Sequence, residues 1–65
     1  MKFKKAQNVF AFSKYVREDG KYTIESVDRK INGTFKNVFE VTDENGNVID
    51  TLKRLKDAKE KYAEA

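Results

Sequence analysis

The chain has 65 residues, with 14 Lys plus Arg against 11 Asp plus Glu, a formal charge of +3, and no Cys, His or Pro. That length holds one domain, which buries only roughly 60% of the surface its unfolded form exposes. The lack of Cys and His removes disulfides, the usual thiolate and imidazole ligands of zinc, and the commonest general base.

The basic start (Lys2, Lys4, Lys5) gives way to Ala6, Gln7 and Asn8 rather than to the apolar stretch of a signal peptide. No apolar run approaches the ~20 residues of a membrane span. A cytoplasmic location with no membrane partner is expected. Residues 1–7 are weakly patterned, with Phe3 the only large apolar side chain after Met1, and read as a short lead-in, with a frayed strand as the alternative.

Residues 8–16 are rich in aromatic and β-branched side chains and read as a strand, with a helix as the competing reading. As a strand, Phe10, Phe12 and Val16 share one face and Val9, Ala11 and Tyr15 the other. Glu18, Asp19 and Gly20 form a three-residue hairpin loop, with Gly supplying the left-handed position, which sets Val16 against Tyr22. The next run, residues 21–31, ends at Asn32-Gly33, the strongest short hairpin signal, a two-residue type I′ turn. Counting back from it pairs Ile31 with Thr34, Ser26 with Phe39 and Ile24 with Val41. Tyr22, Ile24, Phe35, Phe39 and Val41 then share a face, so register and apolar pattern agree. Asn32-Gly33-Thr34 also matches a glycosylation acceptor, but without secretion it is read as this turn.

Glu44, Asn45 and Gly46 repeat the three-residue loop and set Val41 against Ile49. A two-residue Asn-Gly loop would set Val41 against Asp50, a poor core pair. Residues 52–65 follow with a helical period, Leu52, Leu55, Ala58 and Tyr62 on one side and Lys53, Lys56, Asp57, Glu60 and Glu64 on the other. Thr51 stands where a cap belongs. The expected fold is α+β: an antiparallel meander of three to four strands over residues 8–50, one C-terminal helix on one face, and the other face open (β-β-β-β-α).

Catalysis has little to build on. The paired carboxylates Glu18/Asp19 and Asp43/Glu44 sit in hairpin turns, where solvation keeps ordinary acidity. Asp43-Glu44-Asn45-Gly46-Asn47 differs from a calcium loop in the place of its Gly and the absence of the bidentate Glu. No enzyme, metal or cofactor is expected. The open face should carry Tyr15, Thr23, Glu25, Val27, Arg29, Ile31, Thr34, Lys36, Val38, Glu40, Thr42 and Asp50. Arg29 and Lys36 oppose each other directly there, an unfavourable pairing that an anionic partner would relieve. Glu25, Glu40 and Asp50 form an acidic row that would confine phosphate contacts to the Asn32-Gly33 end. Lys53, Arg54 and Lys56 oppose the helix macrodipole and form a basic corner.

The run Val38-Phe39-Glu40-Val41, the Gly46 turn, Val48-Ile49, and Leu52 followed by Leu55-Lys56-Asp57-Ala58 and Tyr62-Ala63 resembles two families of sheet-type DNA-binding modules. These are the AP2 domain and the N-terminal arm-binding domains of phage and transposon integrases. The resemblance covers about the last half of the chain and implies a sheet that binds DNA through basic side chains on its exposed strands. Arg29 and Lys36 match those positions in kind, whereas Glu25 and Glu40 are acidic. Size and composition also look like those of small accessory proteins of Gram-positive phages and mobile elements.

A non-catalytic binding module is expected. Nucleic acid is the first candidate partner, through Arg29, Lys36, Lys53, Arg54 and Lys56. The alternative is a protein partner, of an inhibitor or adaptor, on Tyr15, Val27 and Val38 or along the edge strand of residues 8–16. Lys2, Lys4, Lys5 and Lys14 flank that edge with like charge, so a monomer or weak self-association is expected.

Overall fold

The computed structural model describes the backbone of residues 1–9 and 12–65 and the side chains of residues 1–6 and 13–65. Five strands follow one another and pair in sequence order: β1 (Phe3–Val9), β2 (Phe12–Arg17), β3 (Tyr22–Ile31), β4 (Thr34–Asp43) and β5 (Val48–Leu52). All neighbours are antiparallel. One helix, α1 (Leu55–Tyr62), crosses one face. The α+β meander with a C-terminal helix is therefore the fold, with one strand more than expected. The lead-in is itself strand β1, and the expected single strand of residues 8–16 divides between β1 and β2. The inward placement of Phe10 and Phe12 and the outward placement of Val9 and Ala11 lie outside the described residues. Among the described residues no helix is long and apolar enough to cross a membrane.

The β3–β4 hairpin has the register that its turn dictates. Asn32 (φ 52°) and Gly33 (φ 81°) both take left-handed backbone, as a type I′ turn requires. Ile31 pairs Thr34, Ser26 pairs Phe39 and Ile24 pairs Val41. Ile24 and Val41 are fully buried beneath Ala58 of α1, with Phe3, Tyr15, Tyr22, Phe39, Leu52, Leu55 and Tyr62 packed around them.

The flanking strands depart by one residue each, and one residue exchanges the faces of a strand. Arg17 accepts the N–H of Gly20 at its carbonyl, and Val16 pairs Thr23 rather than Tyr22. The β2–β3 loop is therefore one residue longer than expected. Tyr15 turns to the helix side beside Ile24, and Val16 turns away. The β4–β5 loop is the three-residue loop expected: Asp43 and Asn47 close it, with Gly46 left-handed (φ 86°). The Asp43 carboxylate also accepts the N–H groups of Asn45 and Asn47 (2.9 and 3.0 Å). A bulge at Ile49 then shifts the ladder. Val41 pairs Asp50 after all, and Ile49 is exposed instead of joining the core. A second bulge, at Ala6, interrupts β1.

Leu52 lies in β5, so α1 starts three residues later than expected, although Leu52 still packs on the core. Arg54, not Thr51, is the N-cap residue, in extended conformation and without a side-chain cap bond. Nor is the face opposite the helix wholly open, because Val38 is only 4% exposed there. Phe35 has the reverse fate: it shares the helix side yet is 72% exposed.

Candidate nucleic-acid interface

Strand lengths and helix length set up the site. β3 and β4 have ten residues each and α1 has eight. At ~3.3 Å per strand residue and ~1.5 Å per helix residue, the strands are more than twice as long as their cover. Among the described residues, β2 pairs β3 between Thr23 and Glu25, and β5 pairs β4 between Phe39 and Thr42. Among the described residues, the far end of β3–β4 is thus a two-stranded ribbon. Residues 28–37 are all exposed.

Register brings the predicted basic residues to this end. Arg29 lies directly opposite Lys36, and Lys30 opposite Phe35. Leu52 pairs Phe39, so β5 runs toward the ribbon and releases Lys53 and Arg54 at its base. Lys56 follows in the first turn of α1, whose C-terminal end lies back beside Tyr22. Arg29, Lys36, Lys53, Arg54 and Lys56 are all exposed at one end of the molecule. Lys30 belongs with them and was missed, because it alternates onto the face that sequence reasoning assigned to the core. Among the described residues, Lys30, Lys36, Lys53, Arg54 and Lys56 take no part in an ion pair.

Two expectations about charge are corrected. Arg29 and Lys36 do oppose each other, but the Arg29 guanidinium turns along its face to Glu40, with Nε and Nη2 at 2.7 and 2.6 Å from Oε2. The like-charge pairing is thereby relieved without any outside anion. The acidic row is also shortened: Glu25 and Glu40 still face each other directly, but Asp50 leaves it. Glu40 is held by Arg29, Glu25 lies 4.0 Å from Lys14, and Asp50 has moved to the helix side. A shallow polar depression of roughly 470 Å³ remains between Thr23, Glu25, Glu40, Thr42 and Asp43, lined mainly by carboxylates and hydroxyls.

The alternative protein-contact set does not form one surface. Tyr15 is on the helix side, half-buried, with the Lys59 ammonium 4.7 Å from its ring centre. Val38 is buried, and Val27 beside it half-buried, on the opposite side.

The strongest electrostatic perturbations lie at the other end, around the C-terminal turn of α1. The Arg17 side chain is buried, and its guanidinium donates to the carbonyls of Tyr62 (3.0 Å) and Ala65 (2.7 Å). It also pairs in a fork with Asp19 and lies 4.7 Å from the Tyr22 ring centre. A cation at helix-terminal carbonyls satisfies acceptors that have no partner within the helix. The hydrogen bonds from Arg17 hold Asp19 well below the usual carboxylate range, helped by the backbone N–H of Lys21. Asp19 is therefore not the ordinary turn carboxylate expected. Asp50 accepts Lys61 Nζ (2.6 Å) and the Tyr62 hydroxyl (2.7 Å), which lower it to about 2. Burial, and then donation to Asp50, pushes the Tyr62 phenol up to about 12. Asp19 and Asp50 are both held ionised, the opposite of what a general acid at neutral pH needs.

No protein-family model, curated protein or solved structure matches the chain.

Proposed function

We propose that this protein is a small non-catalytic nucleic-acid-binding module of the cytoplasm. It acts as a monomer or in weak self-association, and it uses the ribbon end of the sheet. One observation supports this reading above the others: six basic side chains from three separate segments converge on one end, five of them outside any ion pair among the described residues. A phosphate backbone is the partner that rewards such an arrangement, since each neutralised phosphate releases condensed counterions. Of the acidic groups that speak against phosphate, Glu40 is held by Arg29 and Asp50 by Lys61 and Tyr62, while Glu25 has Lys14 at 4.0 Å. The resemblance of the hairpin-and-helix half to AP2-type and integrase arm-binding modules is in keeping with it, as is a phage or mobile-element origin.

The second reading is a protein partner that packs apolar side chains against Val48 and Ile49 of β5, which are 55% and 45% exposed. Salt separates the two. Titration of single-stranded and duplex DNA and RNA at two salt concentrations should show affinity falling steeply with salt. The triple change Lys53→Ser, Arg54→Ser, Lys56→Ser should flatten that slope by roughly 0.7–0.9 per lost phosphate contact. Absence of salt-sensitive binding by the wild type to every nucleic acid would overturn the reading and put the β5 edge first.

A further inference from the structure

On the helix side of the ribbon, the eight-residue helix leaves the last part of β3–β4 uncovered, and the side chain exposed there is a phenylalanine. Phe35 is 72% exposed in a protein whose other described aromatic rings are at least half-buried. Its backbone is held in a regular ten-pair ladder directly opposite Lys30. Next along the same face, Asn37 ties the two strands together through their side chains: its Nδ2 donates to Ser26 Oγ at 2.8 Å and reaches the Val27 carbonyl at 3.3 Å. Beyond it the β5–α1 junction raises Lys53, Arg54 and Lys56. The result is a flat, braced shelf with one aromatic ring on its floor, cations on its margins and the Asp28 carboxylate beside Asn37.

From this shelf, and resting on the nucleic-acid reading above, we infer that the ligand is a single strand, with an unpaired base stacked on the Phe35 ring and its flanking phosphates taken by Lys30 and the basic junction. A hydrocarbon ring cannot read the hydrogen-bonding edges that a duplex displays in its grooves. It can stack on the face of any base that is free of its own stack, which is how single-strand sites combine aromatic platforms with positive charge. Phe35 also points from the face of the ribbon, two residues away from Asn32-Gly33, rather than from the tip that would lead into a groove. The charge on the ring's own face selects this occupant over an apolar one: Lys30 is its direct cross-strand neighbour, whereas Lys36 alternates to the opposite face.

The test is fluorescence anisotropy with ten-nucleotide DNA and RNA single strands and with duplexes of the same sequence. The proteins are the wild type, Phe35→Leu and Phe35→Trp, each shown by circular dichroism to be folded. Single strands should bind tighter than duplexes. Phe35→Leu, which keeps bulk but loses the ring, should weaken single-strand binding by about 5- to 100-fold and leave duplex binding unchanged. Phe35→Trp should keep the affinity, and its emission should be quenched on binding. Equal single-strand affinity for wild type and Phe35→Leu, or tighter binding of duplex, would overturn the stacking role while leaving salt-sensitive binding, and the broader reading, intact. Loss of salt-sensitive binding to every form would remove both. A dimer in sedimentation that disappears in Phe35→Leu would assign the ring to a second copy of the chain and overturn the inference.

Discussion

At the Gly20 and Gly46 end of the sheet, side chains far apart in sequence are tied together. Arg17 reaches carbonyls 45 and 48 residues away, Asp50 holds Lys61 and Tyr62, and the Tyr22 and Tyr62 rings lie 5.2 Å apart. At the Asn32-Gly33 end, residues 28–37 are all exposed, and the ion pair there, Arg29 with Glu40, leads back toward the body. One end therefore fixes the helix on the sheet, and the other adds backbone pairing but little buried surface. In so small a domain these tasks compete for few residues. Concentrating the stabilising contacts at one end leaves the other free to keep unpaired cations and a bare aromatic ring.

The contrast is broken most forcefully by removing the floor of the clamped end. Ile24→Ala should cost about 2–5 kcal/mol, against a total of roughly 3–10 kcal/mol for a chain of this length. A chemical melt should show the variant largely unfolded or barely folded. A midpoint near that of the wild type would mean that the core lies elsewhere.

Acid and base should act on the same end. Asp50, lowered from 3.8 to about 2, contributes stability that is fully present above its unfolded value and is lost as pH falls toward 2; Asp19 acts in the same direction. Tyr62, raised from 10.0 to about 12, contributes stability that is fully present below pH 10 and is lost as pH rises toward 12. Thermal melts should therefore show a plateau from about pH 4 to 10 with a fall on each side. Asp50→Asn should make both falls shallower. Unchanged limbs in that variant would separate the pH response from the Asp50–Tyr62 contact.

The smallest effect belongs to the ribbon. Phe35→Ala removes a ring that is 72% exposed, so its stability should stay within about 0.5 kcal/mol of the wild type. A larger loss would show that the ribbon shares in the core and that the two ends are not divided as described.

What the sequence made legible follows the same division. The ribbon register was readable because Asn32-Gly33 admits one tight geometry and the apolar alternation agreed with it. Around the clamp, reading failed by single residues. Tyr15 and Val16 are both apolar enough to face inward, so alternation alone did not choose between loop lengths after Arg17. Asp50 looked like a poor neighbour for Val41 because its partners, Lys61 and Tyr62, lie a bulge and a helix away. The basic end was found in five of its six residues. Lys30 was lost because its face was assigned to a core that the short helix does not reach.

The bulges at Ala6 and Ile49 bear on how the protein avoids polymerising through its own strands. On β1 and β5, the outer strands of the sheet, each bulge interrupts the ladder, and no straight run exceeds three residues, as in Phe3-Lys4-Lys5 or Asp50-Thr51-Leu52. An incoming strand would find donors and acceptors out of step. The ribbon has no such interruption among its described pairings, and Ile31 and Phe35 are exposed on it. Its protection against templated stacking is electrostatic, from Arg29, Lys30 and Lys36. Stripping those charges would therefore expose a flat, apolar strand pair of the kind from which fibrils nucleate.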